Sequence, residues 1–213
     1  GKIFTSKDRA TSISLCINNN HNIAILDDGF QDFSIKPDLS ILCFNSKQLI
    51  GNGFIFPSGP LRENFSSIKR ADCIFINGDK NLEFEDKIKE VNASTKIFYS
   101  VYKAKNLDKF KNKKVIAFAG IGNPSNFFDL LKENNINIKK TNSYPDHHNY
   151  SENDYKYLIG EKKEHDVLLV TTEKDYSRLS EKIKQSFECI EVDLEIENKN
   201  EFINLIKSKL WKL

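Results

Sequence analysis

From residue 114 onward, short apolar runs alternate with segments of helical periodicity. The order reads strand 114–119, helix 124–134, strand 136–143, helix 151–160, strand 167–171, short helix 173–179, strand 187–193 and helix 198–210. Few folds accept such a rhythm. Each helix must bury its apolar stripe on a sheet, and each crossover brings the next strand back parallel to the last. The first half carries the same rhythm more loosely. Ala10, Ile13, Leu15, Cys16 and Ile17 predict a helix over 8–19, stopped by Asn18-Asn19-Asn20. Short apolar runs at about 23–26, 39–44 and 73–76 predict strands buried on both faces of a parallel sheet. Alternation over 96–102 predicts another strand, and a helix is expected over about 61–70. The lysine-rich, weakly apolar stretch 103–114 marks a boundary, giving two α/β domains, 1–103 and 104–213.

The 213 residues suffice for a real core, and 39% hydrophobic with 29% charged content fits an ordinary globular chain. A net charge of +2, with lysines dispersed along the chain, argues against nucleic acid as partner. Cys16, Cys43, Cys73 and Cys189 lie far apart with no Cys-x-x-Cys spacing, so they read as buried thiols of a reducing compartment. No run approaches the ~20 apolar residues of a membrane span, and no signal peptide opens the chain. The expected location is cytoplasmic. The chain starts at Gly1 and contains no methionine, so a further N-terminal segment is expected.

Chemistry-bearing residues gather where strands end. Ile23-Ala-Ile-Leu-Asp-Asp-Gly-Phe-Gln-Asp32 runs an apolar stretch into two adjacent carboxylates. At the carboxyl edge of a parallel sheet, Asp27 and Asp28 suit a magnesium ion that carries nucleotide phosphates; the alternative is a pair of turn aspartates. Residues 51–63, Gly-Asn-Gly-Phe-Ile-Phe-Pro-Ser-Gly-Pro-Leu-Arg-Glu, form a long loop whose glycines permit close backbone approach. Arg62 supplies a fork for phosphate, and Glu63 either pairs with it or assists a metal. Ala117 to Pro124 reads as strand, glycine turn and helix start, suited to an anion or simply tight. His147 beside Asp146 is able to relay a proton or stabilise charge. Thr172-Glu-Lys-Asp175 reads as a helix cap with structural roles for Lys174 and Asp175. Nothing spells the Gly-x-x-x-x-Gly-Lys-Ser/Thr phosphate loop.

Asp27-Asp-Gly-Phe-Gln31, Gly51-Asn-Gly53, Pro57-Ser-Gly-Pro-Leu-Arg-Glu63, Ala117-Phe-Ala-Gly-Ile-Gly-Asn-Pro124, Pro145-Asp-His-His148 and Thr172-Glu-Lys-Asp175 together resemble the tetraacyldisaccharide 4'-kinase family, the lipid A 4'-kinases. The resemblance runs in order over nearly the whole chain. It implies the C-terminal part of a P-loop kinase-like parallel-sheet domain followed by a smaller Rossmann-like α/β domain, with ATP and Mg²⁺ bound between them. The implied reaction phosphorylates the 4'-hydroxyl of an acylated glucosamine disaccharide 1-phosphate. It takes place at the cytoplasmic face of the inner membrane, where the enzyme is peripheral. Carried over by position, Asp27 and Asp28 are the metal pair, and Asp28, Glu63 and His147 are catalytic. Gln31, Arg62 and Asn123 are the substrate- or phosphate-binding residues.

Two departures accompany the resemblance. Asp32 stands where the family usually has histidine, so a donor has become a carboxylate. The family's phosphate loop, an upstream catalytic aspartate and its membrane anchor all precede the matched segment. The 213 residues by themselves are therefore expected to lack turnover. Phe54, Phe56 and Phe65 either meet acyl chains or pack in the core. A glycosyltransferase-like enzyme using a nucleotide sugar, and a non-catalytic nucleotide- or lipid-binding module, are the competing readings.

Overall fold

A computed structural model describes residues 1–211. The chain forms two compact units, residues 1–101 with the stretch from Ile196 on, and residues 102–195. The expected domain 104–213 thus differs at its end, because the last helix returns to the first unit.

In the first unit, α1 (Arg9–Asn18) is started by Asp8, whose carboxylate accepts the Thr11 amide at 2.8 Å. The expected strand 23–26 does not form. No described strand pairs with it, and its backbone stays irregular with Ile25 92% exposed. An apolar run becomes a strand only when a neighbour satisfies its amides. β1 (Ile41–Asn45), β2 (Cys73–Asn77) and β3 (Lys96–Ala104) form a parallel ladder in the register Ile41–Cys73–Lys96. The sheet continues to β8 (Val192–Ile196), in the order β1-β2-β3-β8.

β2 explains its own sequence. Ile74 and Ile76 face Ile68, Phe84 and Ile88, whereas Cys73 and Phe75 join Phe98 beneath Phe202 and Leu205. Phe84 and Ile88 lie on α2 (Leu82–Val91), and Phe202 and Leu205 on α7 (Lys199–Leu210). Burial on both faces pushes the Cys73 thiol up to about 12. β1 departs from the expectation of two buried faces. Leu42 and Phe44 pack inward, but Ile41 and Cys43 are exposed because the cover from α7 falls on β2 and β3. Cys43 is accordingly not a buried thiol. The expected helix 61–70 is a 3-10 turn over Phe65–Arg70. Leu61 is committed to a bridge with Ile55, its amide donating to Phe54 at 3.2 Å, so it cannot enter a helix.

The second unit follows the alternating pattern closely. β4 (Lys114–Ala119), β5 (Asn137–Ser143), β6 (Leu168–Thr172) and β7 (Glu188–Ile190) make a wholly parallel sheet in the order β5-β4-β6-β7. Central β4 is buried from Val115 to Ala119. Val115, Ala117 and Ala119 meet Phe127, Phe128 and Leu131 of α3 (Pro124–Glu133). Ile116 and Phe118 meet Leu158 of α4 (Glu152–His165) on the other face. Helices on both faces of a parallel sheet are what the alternation predicts, and they make the Rossmann-like arrangement that the resemblance implies. The expected strand 187–193 divides into β7 and β8 at Glu191. There the Asn106 side chain accepts the Glu191 amide at 3.1 Å, and Glu191 accepts the Lys105 amide at 2.9 Å. Short helices α5 (Glu173–Arg178) and α6 (Glu181–Lys184) link β6 to β7. Among the described residues, no helix is long and apolar enough to cross a membrane.

Candidate active site

The acidic turn of the first unit is stitched from distant arginines. Asp28 adopts a left-handed backbone, φ +51°, which aspartate tolerates better than most side chains. Arg9, in the first turn of α1, donates to the carbonyls of Asp27 and Asp28 at 3.2 and 2.9 Å and to the Asp32 carboxylate at 3.0 Å. Arg62 reaches across 34 residues of sequence and donates to both oxygens of Asp28 at 2.6 Å. The carboxylate raises the Arg62 pKa further above its ordinary value. The Asp27 carboxylate meets no protein donor among the described residues, and Asp27 is exposed. The pair is therefore asymmetric. Asp28 is held by a guanidinium, and the Asp27 carboxylate is free of donors from the described residues.

Asp32, where a histidine was expected, has a role of its own. Its Oδ1 accepts from the amide and hydroxyl of Ser34, at 2.9 and 2.5 Å, and its Oδ2 takes Arg9. Those bonds, Ser34 first and then Arg9, draw its pKa down to about 2. Glu63 pairs with Arg70 at 2.9 Å rather than with Arg62. Arg70 lies over the rings of Phe30 and Phe33, 4.6 and 4.7 Å from their centroids, and donates to the Phe30 carbonyl at 3.3 Å. Glu63 thereby braces the turn from behind. Gln31 is half-buried in the same turn.

The glycine loop closes on itself. A side chain at Gly51 would strike Pro60 at 2.7 Å, and one at Gly59 would collide with Asn52 and the Phe54 carbonyl. Asn52 accepts the Phe54 amide at 3.1 Å and donates to the Ser58 carbonyl at 2.8 Å. The close approach read from these two glycines thus serves the loop's own packing. Only Gly53, with φ +77°, opens onto free space. Phe54 and Phe56 are 63% and 79% exposed, whereas Phe65 packs in the core against Phe84.

A second cluster forms at the carboxyl ends of β4 and β6, within the second unit. Asp175 is wholly buried, and its Oδ2 accepts the Gly120 amide and the Thr172 hydroxyl, both at 2.9 Å. Its Oδ1 lies 3.6 Å from Nη1 of Arg178. The other arm of Arg178, Nη2, meets Nδ1 of His147 at 2.9 Å. His147 has a left-handed backbone, φ +59°, with its amide donating to the Gly120 carbonyl at 3.1 Å and to Asp146 at 2.9 Å. Burial, and then the nearby Asp175 charge, push the Tyr150 phenol far above its ordinary range. Asn123 is the N-cap of α3 without a side-chain bond to a backbone amide of the helix; its Oδ1 accepts from the Ser125 hydroxyl at 2.6 Å. The two histidines do not converge. His148 lies 3.1 Å from Asp154, which forms a capping box with Ser151.

The structure thus brings Asp27, Asp28, Gln31, Arg62 and Glu63 together in the first unit, and it sets His147 and Asn123 on the second. Sequence reasoning missed Arg9, Arg70 and Arg178. Each acts through an ion pair or hydrogen bond distant in sequence, for which local spacing gives no signal.

Comparison with known proteins assigns this arrangement to a family. The model of the tetraacyldisaccharide-1-P 4'-kinases (LpxK) matches residues 1–211. The tetraacyldisaccharide 4'-kinase of Pelagibacter ubique is 37% identical over 211 residues, covering 97% of this chain and 67% of that protein. That of Rickettsia akari is 33% identical over 216 residues, covering the whole chain and 63% of its counterpart. Among solved structures, the "apo" form of LpxK from Aquifex aeolicus, crystallised in complex with ATP, superposes with a TM-score of 0.70 at 26% identity. That match covers 97% of this chain and 64% of the other. The chain spans about two thirds of the length of these relatives. Its parallel α/β units, its acidic turn and the match over residues 1–211 agree, and the chain belongs to the tetraacyldisaccharide-1-P 4'-kinase family.

Proposed function

We propose that this protein is an ATP-dependent kinase that phosphorylates the 4'-hydroxyl of a tetraacyl glucosamine disaccharide 1-phosphate in lipid A biosynthesis, as a peripheral enzyme of the inner-membrane surface. The observation that carries the reading is the convergence of two of the chain's motif segments, 27–31 and 57–63, on one Asp28–Arg62 contact. In the reaction the acceptor oxygen bonds to the γ-phosphorus, the bond to the ADP oxygen breaks, and the hydroxyl proton passes to a base.

The acidic turn fits a magnesium ion at Asp27, whose carboxylate is exposed and unpartnered, and hard oxygen donors are what that ion takes. Bound there, Mg²⁺ would neutralise charge on the phosphates. Asp28 would be a second carboxylate available to that ion, and its partner Arg62 has the fork geometry for phosphate oxygens. Arg9 fixes the backbone on which both carboxylates ride. Glu63 holds Arg70 against the turn, and Gln31 supplies an amide beside it. His147 and Asn123 offer donors for anionic oxygen from the second unit.

The test is transfer of labelled γ-phosphate from ATP to a tetraacyl disaccharide 1-phosphate, by the protein expressed from its full reading frame. Label at the 4'-position is expected, with Asp28→Asn lowering the rate roughly a hundredfold, the scale on which loss of an electrostatic partner is felt. The 213 residues alone, which spell no phosphate loop, are expected to be inactive. Failure of the full-length protein to label the lipid, or an undiminished Asp28→Asn rate, would overturn the reading.

A further inference from the structure

We propose that Arg178 is a positioning residue that acts through His147. It fixes the imidazole with Nδ1 as hydrogen-bond acceptor and the proton on Nε2, so that an N–H is presented to an anionic phosphate oxygen. The proposal rests on the functional reading of His147 given above.

A guanidinium only donates, so the 2.9 Å contact between Arg178 Nη2 and His147 Nδ1 requires a lone pair on Nδ1. The neutral ring then carries its hydrogen on Nε2. The other ring nitrogen, 3.8 Å from Asp146, is left exposed. Arg178 is itself anchored. Its Nη1 faces the Asp175 carboxylate at 3.6 Å and the Gly120 carbonyl at 3.5 Å. Asp175 is wholly buried and held by the Gly120 amide and the Thr172 hydroxyl. The backbone of His147 is pinned to that same Gly120. Both ends of the Arg178–His147 contact are therefore referred to one rigid turn, Gly120. A buried carboxylate that orients a cation, which in turn orients an exposed histidine, suits a donor that must be aimed before its ligand arrives. The turn's packing alone would not require an arginine arm extended to an exposed ring.

Nitrogen-15 NMR of the histidine rings in the 213-residue chain, at about pH 8, where an ordinary histidine with a pKa of ~6.5 is neutral, reads the state of His147 directly. The expected result is the Nε2–H form, with an Nδ1 resonance that shifts on Arg178→Met while the other histidines stay in place. An Nδ1–H ring in the unsubstituted protein overturns the proposal without any variant having to fold. In the full-length enzyme, Arg178→Met is expected to lower kcat about tenfold with KM for the lipid unchanged, the scale of losing a group that orients a functional histidine. Arg178→Lys, which keeps the charge facing Asp175, is expected to recover part of that loss. Combined with His147→Ala, Arg178→Met should cost nothing more. If His147→Ala leaves the rate untouched, the reading of His147 fails. If His147→Ala slows transfer but Arg178→Met neither shifts Nδ1 nor slows it, the positioning role fails while that reading stands.

Discussion

Gly120 is the most crowded of the second unit's glycines. A side chain there would lie 3.1 Å from His148 Cβ and 3.2 Å from both the Pro145 carbonyl and the Tyr150 hydroxyl. Gly120→Ala is expected to cost about 1–3 kcal/mol in denaturant unfolding, the usual scale of overpacking. Asp32 makes a pH-dependent contribution. Its folded value of about 2 lies below the ordinary 3.8, so the stability it supplies is present above about pH 4 and fades as pH falls through 2. Asp32→Asn is expected to lower the denaturant midpoint at neutral pH, with the difference from the unsubstituted protein closing near pH 2. Equal differences at both pH values would contradict this. The sequence named Asp28, Arg62, Glu63 and His147, but not their partners. Glu63 pairs with Arg70 and Asp32 with Arg9, because ion pairs that do not follow a helix or strand repeat have no period to read.

At the scale of elements, legibility followed burial. β2 and β4, covered on both faces, read as continuous apolar runs, and their helices carried clear stripes. The apolar run 23–26 misled because hydrophobicity marks a possible strand, whereas a strand also needs a ladder partner. Sequence reasoning placed no helix at α2, although Asn81 caps it by accepting the Phe84 amide at 2.9 Å and Phe84 and Ile88 sit one turn apart. Ile88 is fully buried, and Ile88→Ala is expected to cost about 2–5 kcal/mol by chemical denaturation. Phe202 of α7 meets Phe75 and Phe98 at centroid distances of 4.8 and 5.4 Å. Phe202→Ala is expected to lower hydrogen-exchange protection in β2 while leaving β4 unchanged. Equal losses in both strands would contradict the division of the cores.

For the whole molecule, the alternation of strand and helix gave the α/β class, but the path of the chain was not local information. The C-terminal helix belongs with the first unit because Phe202 and Leu205 cover β2, a contact more than a hundred residues away in sequence. The second unit begins and ends in adjacent segments. Lys103 pairs with Glu195 at 2.5 Å, and Lys105 with Asp193 at 2.6 Å. Residues 102–195 expressed alone are therefore expected to unfold cooperatively on heating, as followed by circular dichroism; a gradual, featureless melt would argue against an autonomous unit. The central claim is that the turn at Asp27 is the metal arm of a lipid A kinase, and the magnesium dependence of phosphate transfer by Asp27→Asn in the full-length enzyme tests it most directly. A rise of about tenfold or more in the Mg²⁺ concentration needed for half-maximal rate is the expected result. A magnesium curve that overlays that of the unsubstituted enzyme would contradict it.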